Sequence, residues 1–238
     1  MPEISIRHLS VTYLGKKKEE YPALKDVNLV FPNGEVSAIM GESGSGKTTL
    51  LRALSRQLDY DGEIDSDGLD IATLSSKERR LSYVMQEFAL YPHLTVFDNL
   101  AFPLKLERES YEAITSRVLD MAKELHIEPL LSRKPRQLST GQIQKVCLGR
   151  ALIKNPDLIM LDEPLSNVDL REKEDVLRTI ARMLHKYQIT AIYITHNLKE
   201  AIYISSNVFF FEDGKFVKEV PSSELGIVDP AYVFEKER

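Results

Sequence analysis

Four short apolar runs, each followed directly by a polar or glycine-rich segment, place the strongest constraint on how this chain folds. The runs span residues 36–40, 81–85, 158–161 and 190–195. Longer helical patterns separate them, and this alternation is typical of β-α units around a parallel sheet. Ligands of such sheets bind beyond the carboxyl ends of the strands. Because Gln86, Asp162 and His196 stand at three of these ends, the sequence predicts a single site there.

The first run leads into a segment that matches the pattern G-x-x-x-x-G-K-[ST] in full. The segment consists of Gly41, Glu42, Ser43, Gly44, Ser45, Gly46, Lys47 and Thr48, and Thr49 continues it into a helical pattern. Backbone N–H groups of such a loop surround phosphate oxygens at a helix N-terminus, whose dipole favours anions. We expect Lys47 to reach the β- and γ-phosphates and the Thr48 hydroxyl to ligate Mg²⁺. The motif therefore predicts a nucleoside triphosphate site.

Two carboxylates, Asp162 and Glu163, follow the third apolar run. An acid at this position of a P-loop protein holds Mg²⁺ opposite the phosphate loop. A second carboxylate beside it can orient and polarise an attacking water. Acidic residues are common in turns, so the pair is informative only because the phosphate loop is intact.

Composition and charge exclude several classes of protein. The chain has 238 residues, 43% of them hydrophobic and 28% charged, which is typical of a globular protein and not of a disordered one. A net charge of -5 argues against a nucleic-acid partner. A single cysteine, Cys147, excludes an internal disulfide framework and a thiolate-rich zinc site. We find no signal peptide and no apolar run near the ~20 residues that span a bilayer, so we expect membrane contact only through a partner.

The remaining segments predict two additions to the parallel core. Residues 4–14 and 27–31 indicate antiparallel strands, and the pattern becomes helical between about residues 88 and 152. Residues 208–211 and 216–220 flank an Asp213-Gly214 turn that is typical of a hairpin. The predicted fold class is α/β, with a P-loop NTPase core on a mostly parallel sheet, an N-terminal antiparallel β subdomain and an inserted α-helical subdomain. We expect one domain over residues 1–238, with a core from residues 1–87 and 151–238 and a helical part from residues 88–150.

The order of further motifs resembles the ATP-binding subunits of ABC transporters along nearly the whole chain. Residues 138–142, with the sequence Leu-Ser-Thr-Gly-Gln, resemble the Leu-Ser-Gly-Gly-Gln signature of that family. The other matches are Leu161-Asp162-Glu163-Pro164 to the acidic strand, residues 166–169 to the D-loop, Thr195-His196 to the switch histidine, Gln86 to the Q-loop and Tyr13 to an adenine-stacking aromatic.

The resemblance implies roles for individual residues. It implies that Lys47, Glu163 and His196 are catalytic, and that Thr48, Gln86 and Asp162 ligate Mg²⁺. It implies an ATP site formed by Tyr13, the phosphate loop, Thr49, Gln86 and Asp162. It further implies that a second subunit, either an identical copy or a paralogue, adds its Ser139, Gly141, Gln142 and Asp169 in trans. The start of the signature helix is a second anion site, which suits a head-to-tail pair that encloses two ATP molecules.

Three residues depart from the family pattern. Thr140 replaces a glycine of the signature and adds bulk where the backbone approaches phosphate. Asn197 stands where an acid often follows the switch histidine, and Gly149 replaces a common alanine at a cost of up to ~1 kcal/mol to its helix. None of them removes a catalytic group, so we expect an active ATPase.

The stretch that follows Gln86 favours an importer. Residues 88–96 resemble maltose-type importer ATPases, residues 95–104 resemble methionine importers, and residues 133–137 resemble the importer version of the segment before the signature. The resemblance implies a transmembrane permease that docks near Phe88 to His93, a substrate-binding protein, and a position on the cytoplasmic face of the membrane. Residues 221–225 and 230–234 resemble the end of the ATPase core, so we expect no regulatory domain of the maltose type.

Other functions stay open. An exporter ATPase differs mainly in the stretch before the signature, and the transported substrate is not defined. A transporter-free ABC ATPase that acts on DNA or ribosomes usually carries two fused units or a long insertion, which this chain lacks. A nucleotide kinase would have an arginine-rich lid and no signature motif. A binding subunit without hydrolysis would require that Thr140 disables the site.

Overall fold

A six-stranded sheet forms the centre of the structure, a computed structural model that describes residues 2–15 and 19–226. Its strands, in spatial order, are β10 (Lys215–Pro221), β9 (Asn207–Glu212), β3 (Val36–Met40), β8 (Thr190–Ile194), β7 (Leu158–Asp162) and β6 (Leu81–Val84). All neighbouring pairs are parallel except the β9–β10 hairpin. The predicted mostly parallel core is therefore confirmed.

The register of this sheet brings the predicted strand ends together. Ile39 of β3 and Asp162 of β7 both pair with Ile194 of β8, and Val84 of β6 pairs with Leu161. Every residue of β7 and β8 is buried, as expected for strands covered on both faces. The edge strand β6 differs, because its residues alternate between buried and half-buried.

A four-stranded antiparallel sheet packs against one face of this core. It consists of β1 (Ile4–Leu14), β2 (Glu20–Phe31), β4 (Asp61–Ser66) and β5 (Leu69–Asp70), in the order β2-β1-β4-β5. Its buried side chains, among them Leu9 and Phe31, form one cluster with Leu50 of α1 (Lys47–Leu54) and Met160 of β7. The predicted antiparallel subdomain is present, and β2 begins seven residues before residue 27.

Helices fill the segment that the sequence predicted to be helical. They are α2 (Val96–Leu106), α3 (Tyr111–Leu125) and α4 (Thr140–Leu152), with short 3₁₀ turns at Glu128–Leu130 and Pro135–Gln137. The hydroxyl groups of Thr95, Ser110 and Ser139 cap their N-termini. Three further helices, α5 (Leu170–Tyr187), α6 (Leu198–Ile204) and α7 (Ser222–Leu225), follow along the chain.

Packing in the helical segment accounts for two residues, Cys147 and Gly149, to which the sequence analysis gave no function. Cys147 is buried in this core, and burial raises the pKa of its thiol to about 11. At Gly149 an added Cβ would lie 2.6 Å from Cδ1 of Leu125 and 3.0 Å from Cδ2 of Leu100. The glycine thus lets α4 pack closely against its neighbours. The helix-propensity cost expected from the sequence did not include this gain in packing.

No helix within residues 2–15 and 19–226 is both long and apolar enough to cross a membrane. The segment at residues 230–234, which resembles the end of the ATPase core, lies outside the described residues.

A fully buried asparagine holds the loop that enters α2. The Oδ1 atom of Asn99 accepts a hydrogen bond from the Tyr91 N–H at 2.8 Å. Its Nδ2 group donates to the carbonyl oxygens of Tyr91 at 3.2 Å and Thr95 at 2.9 Å. Because Asn99 is fully buried, its amide group finds its hydrogen-bond partners in these backbone groups and not in the solvent.

We predict that Asn99→Ala lowers the free energy of unfolding by roughly 2–4 kcal/mol, because it removes these hydrogen bonds inside a packed core. Urea denaturation measures the loss. The control is Asn33→Ala in an exposed turn, which we expect to stay within about 0.5 kcal/mol of the parent. Equal effects of the two substitutions would contradict this role for Asn99.

Candidate functional site

A cavity of about 550 Å³ lies beyond the carboxyl ends of β3, β6, β7 and β8. Most of the predicted site residues line it. They are Tyr13, Gly41, Ser43, Gly44, Gly46, Lys47, Thr48, Thr49, Gln86, Glu163 and His196, together with Ala23. The sheet therefore brings phosphate loop, Q-loop, acidic strand end and switch histidine into one place, as the sequence predicted.

The phosphate loop turns sharply into α1 at Gly46. This residue is the N-cap of α1 and has a φ of +98°, which L side chains rarely adopt. An added Cβ there would lie 2.6 Å from the carbonyl oxygen of Ala23 and 2.8 Å from Cδ2 of Leu24. A glycine is needed at this position for both reasons, and the α1 N-terminus consequently opens toward the cavity.

The ammonium group of Lys47 lies inside the loop that precedes it. Its Nζ donates hydrogen bonds to the carbonyl oxygens of Gly41 and Glu42, each at 2.7 Å, and to Oγ of Ser45 at 3.3 Å. Burial lowers the pKa of Lys47, while the nearby carboxylates of Glu163 and Asp162 oppose that shift. The Lys47 side chain is thus held by the loop carbonyl groups within the lining of the cavity.

Two hydroxyl groups hold the carboxylate of Asp162. Thr48 Oγ1 donates to Oδ1 at 3.3 Å, and the Tyr83 hydroxyl donates to Oδ2 at 2.9 Å. Burial and the Asp162 carboxylate raise the pKa of Tyr83 well above its ordinary value. A hydroxyl and a carboxylate at this distance are hard oxygen donors of the kind that Mg²⁺ prefers, so the residues present fit that ion. Sequence reasoning missed Tyr83, although Gln86 follows its strand by two residues.

Glu163 and His196 face each other at the mouth of the cavity. Nδ1 of His196 lies 3.6 Å from Oε2 of Glu163. Glu163 has a φ of +45°, an uncommon value for a residue with a side chain, and its N–H donates to the carbonyl of Ile194 at 3.0 Å. Backbone in such conformations is concentrated at functional sites, where the surrounding structure holds it.

A buried carboxylate that the sequence analysis did not single out holds the end of β8, just before His196. Glu200 accepts hydrogen bonds from the Tyr193 hydroxyl and, at 2.8 Å, from Thr195 Oγ1. Burial raises the pKa values of Glu200 and Tyr193. Asn197 caps α6 by accepting from the Glu200 N–H at 3.1 Å. The signal for Glu200 was available, since Asn-x-x-Glu before a helical pattern resembles a capping box.

Gln86 and Tyr13 both line the cavity. The backbone carbonyl of Gln86 accepts a hydrogen bond from Nδ2 of Asn167 at 2.9 Å, which ties the Q-loop to the predicted D-loop. The Tyr13 hydroxyl lies 3.3 Å from Thr49 Oγ1, just after the phosphate loop. The roles that the resemblance implies for them, in the Mg²⁺ shell and in adenine stacking, stay predictions.

The residues expected to act in trans stand apart from this cavity. Within residues 2–15 and 19–226, its lining includes none of Ser139, Gly141, Gln142 and Asp169. Ser139 and Gln142 form a capping box at the start of α4, with hydrogen bonds of 3.1 Å and 3.3 Å. Oγ1 of Thr140 accepts from the Asp169 N–H at 3.0 Å, so the unusual threonine joins the signature to the D-loop.

A second cavity, of about 530 Å³, lies between β6 and the helices α2 and α4. We call it the docking groove, and its apolar lining includes Met85, Tyr91, Phe102 and Leu106. Only part of the predicted docking segment faces it, because Phe88 packs against the helical core instead. The Tyr91 ring stacks at 4.5 Å on Phe102, and the Arg150 guanidinium lies 5.4 Å from its centroid.

The parallel sheet, its phosphate loop and the acidic strand end define a P-loop nucleotide-binding protein. Residues 24–166 match the protein family described as ABC transporter, and the chain belongs to that family.

Two curated relatives of the chain are named as import proteins. The chain is 36% identical over 212 residues to the spermidine/putrescine import ATP-binding protein PotA of Haemophilus influenzae, covering 89% of this chain and 57% of PotA. It is 38% identical over 211 residues to the molybdate/tungstate import ATP-binding protein WtpC of Pyrococcus horikoshii, covering 88% of this chain and 61% of WtpC. These matches span only 57% and 61% of the two relatives.

The fold is also that of solved ATP-binding cassettes. The structure superposes on the cassette MJ0796, described as a dimer in a post-hydrolysis state bound to ADP and Pi, with a TM-score of 0.81 and 31% identity. The match covers 92% of this chain and 98% of that chain.

We predict that Gly46→Ala destabilises the fold more than Gly44→Ala. Both residues have positive φ, so each substitution costs about 1–2 kcal/mol in backbone conformation. Only Gly46 lacks space for a methyl group, which adds about 1 kcal/mol or more, whereas nothing lies within 4 Å of an added Cβ at Gly44. Urea unfolding compares the two variants, and equal losses would show that packing around Gly46 contributes nothing.

Proposed function

We propose that this chain is the ATP-hydrolysing subunit of an ABC importer. The observation that carries the proposal is the convergence of Lys47, Glu163 and His196 on one cavity, with Asp162 hydrogen-bonded to Thr48 of its lining, while the signature residues lie outside it. The import ATP-binding relatives support the same conclusion. Because these relatives are named for polyamines in one case and oxyanions in the other, we assign import and leave the solute open.

Each residue of the cavity has a role in this proposal. Lys47 leaves the loop carbonyls and pairs with the β- and γ-phosphates of ATP. Thr48, Gln86 and Asp162 hold Mg²⁺, which supplies charge compensation at the phosphates when it is bound. Glu163 orients the attacking water and accepts its proton, and His196 shapes the water site beside the γ-phosphate. Tyr13 stacks on the adenine.

We further propose that hydrolysis requires two ATPase subunits. The α4 N-terminus is an anion site, and it lies outside the cavity of its own chain. A partner, identical or paralogous, would place its Ser139, Gly141, Gln142 and Asp169 over the ATP. ATP binding closes the pair, and hydrolysis reopens it. In this proposal residues 88–150 form the helical part, and residues 1–87 and 151–238 form the nucleotide-binding core.

The docking groove is the proposed seat of the transmembrane permease. Its lining combines the apolar and aromatic side chains of Met85, Tyr91, Phe102 and Leu106 with charged side chains such as Glu87 and Lys154, so a partner could both bury apolar surface and form polar contacts there. A permease in this groove would hold the chain at the cytoplasmic face of the membrane. As an importer the complex would also include a substrate-binding protein. We propose no nucleic-acid partner, in line with the net charge of -5.

We predict that Glu163→Gln binds ATP and dimerises but hydrolyses it at least about 100-fold more slowly, because the amide cannot accept the proton of the attacking water. Phosphate release measures turnover, and light scattering after size-exclusion chromatography measures dimerisation. Lys47→Ala is the matched control and should lose about tenfold or more in ATP affinity. Turnover like that of the parent in Glu163→Gln would remove Glu163 from catalysis.

We predict that tagged Glu163→Gln chain, incubated with ATP, retains a permease and a substrate-binding protein from gently solubilised native membranes. Mass spectrometry identifies the retained proteins. Leu106→Glu places a charge on the exposed wall of the docking groove and should abolish capture, whereas Leu119→Glu on α3, outside that lining, should not. A permease without a binding protein would indicate an exporter, and capture of no membrane protein would contradict the transporter assignment.

A further inference from the structure

The signature helix already holds an anion from its own chain. Oγ of Ser139 donates a hydrogen bond to Oε1 of Glu172 at 2.6 Å, and the Gly141 N–H donates to Oε2 at 3.1 Å. Glu172 lies in the first turn of α5, 33 and 31 residues away along the chain. Its two carboxylate oxygens therefore receive the same two donors that the proposed function assigns to ATP in trans.

The carboxylate fits this position closely. An added Cβ at Gly141 would lie 2.9 Å from Cβ and 3.0 Å from Cδ and Oε2 of Glu172. A glycine at position 141 is what admits the Glu172 side chain. Helix capping alone does not explain the contact, because Ser139 and Gln142 already cap α4 through their own reciprocal hydrogen bonds.

Among the surrounding charged groups, Glu172 is the anion that binds the Ser139 and Gly141 donors. Lys145 lies on the same face of α4, but its Nζ is 2.5 Å from Oδ2 of Asp175, with which it forms an ion pair. The hydrogen bond from the Asp169 N–H to Thr140 Oγ1 holds the start of α5 against the start of α4. Glu172 is thus placed on the signature by two separate contacts between these helices.

Two anions cannot share this site. A serine hydroxyl and a backbone N–H each carry one proton, so each makes one strong hydrogen bond at a time. A second anion within hydrogen-bond distance would also repel the Glu172 carboxylate. A γ-phosphate that docks on Ser139 and Gly141 must therefore displace Glu172.

We propose that Glu172 is an internal competitor of the γ-phosphate, which occupies the signature of the separate subunit and must leave it before the dimer closes. This inference rests on the proposed function and adds a regulation to it. While Glu172 is bound, it keeps the Ser139 and Gly141 donors convergent. Because Glu172 must leave before the dimer closes, closure requires a higher ATP concentration than ATP binding to the phosphate loop alone.

The test measures the ATP concentration that gives half-maximal dimerisation in the Glu163→Gln background. Glu172→Gln should lower this concentration by about tenfold, because it removes the charge that competes for two donors. Glu172→Asp keeps the charge but is one methylene shorter, so it should lower the concentration as well. Glu174→Gln is the matched control, since Glu174 lies on the same helix but pairs with Arg178, and it should leave the value unchanged.

Two further measurements separate this effect from a structural one. ATP affinity of the phosphate loop, measured below the concentration at which the chain dimerises, should be the same in all of these variants. Melting temperatures report whether each variant is folded. If Glu172→Gln is not folded, the dimerisation of Glu172→Asp tests the inference.

The outcomes distinguish the inference from the proposed function. A dimer that forms at the same or a higher ATP concentration in both Glu172 variants would overturn the inference and leave the proposed function intact. Failure of the Glu163→Gln parent and of both Glu172 variants to dimerise with ATP would overturn the two together.

Discussion

The parallel pairing of β3, β8 and β7 is the constraint on which the site depends. Because Ile39 and Asp162 both align with Ile194, the residues that follow these three strands emerge at one edge. The phosphate loop, Glu163 and His196 are those residues. Complete burial of β7 and β8 fixes this register, since a slip would place charged groups inside the core. Catalytic geometry here is thus a consequence of core packing.

Much of this arrangement could be predicted from the sequence, because the information is local. An apolar run followed at once by Gln86 or Asp162 identifies both the strand and the edge at which it ends. Two of the residues that were missed, Tyr83 and Glu172, act across long separations. Tyr83 reaches Asp162 over 79 positions, and Glu172 reaches Ser139 over 33. No periodicity or short motif reports such pairs, which exist only once the elements are packed.

The departures from the family pattern have local physical reasons. Asn197 is a favourable N-cap for α6, a role that an acid would also fill. Gly149 permits close packing of α4 on Leu125 and Leu100, so its weak helix propensity is offset by contact. Thr140 gives the signature a hydrogen bond to the backbone of Asp169 that a glycine cannot make. Each substitution changes how neighbouring segments are joined, and none of the three replaces a residue to which the proposed function gives a catalytic role.

The strand β6 connects the two cavities. Tyr83 lines the docking groove, yet its hydroxyl donates to Asp162. Two residues beyond the end of that strand, Gln86 lines the nucleotide cavity and accepts a hydrogen bond from Asn167. A partner that presses on the groove therefore contacts a side chain that holds the predicted metal ligand. The two cavities are therefore joined by the Tyr83 side chain and by the short loop that runs from the end of β6 to Gln86.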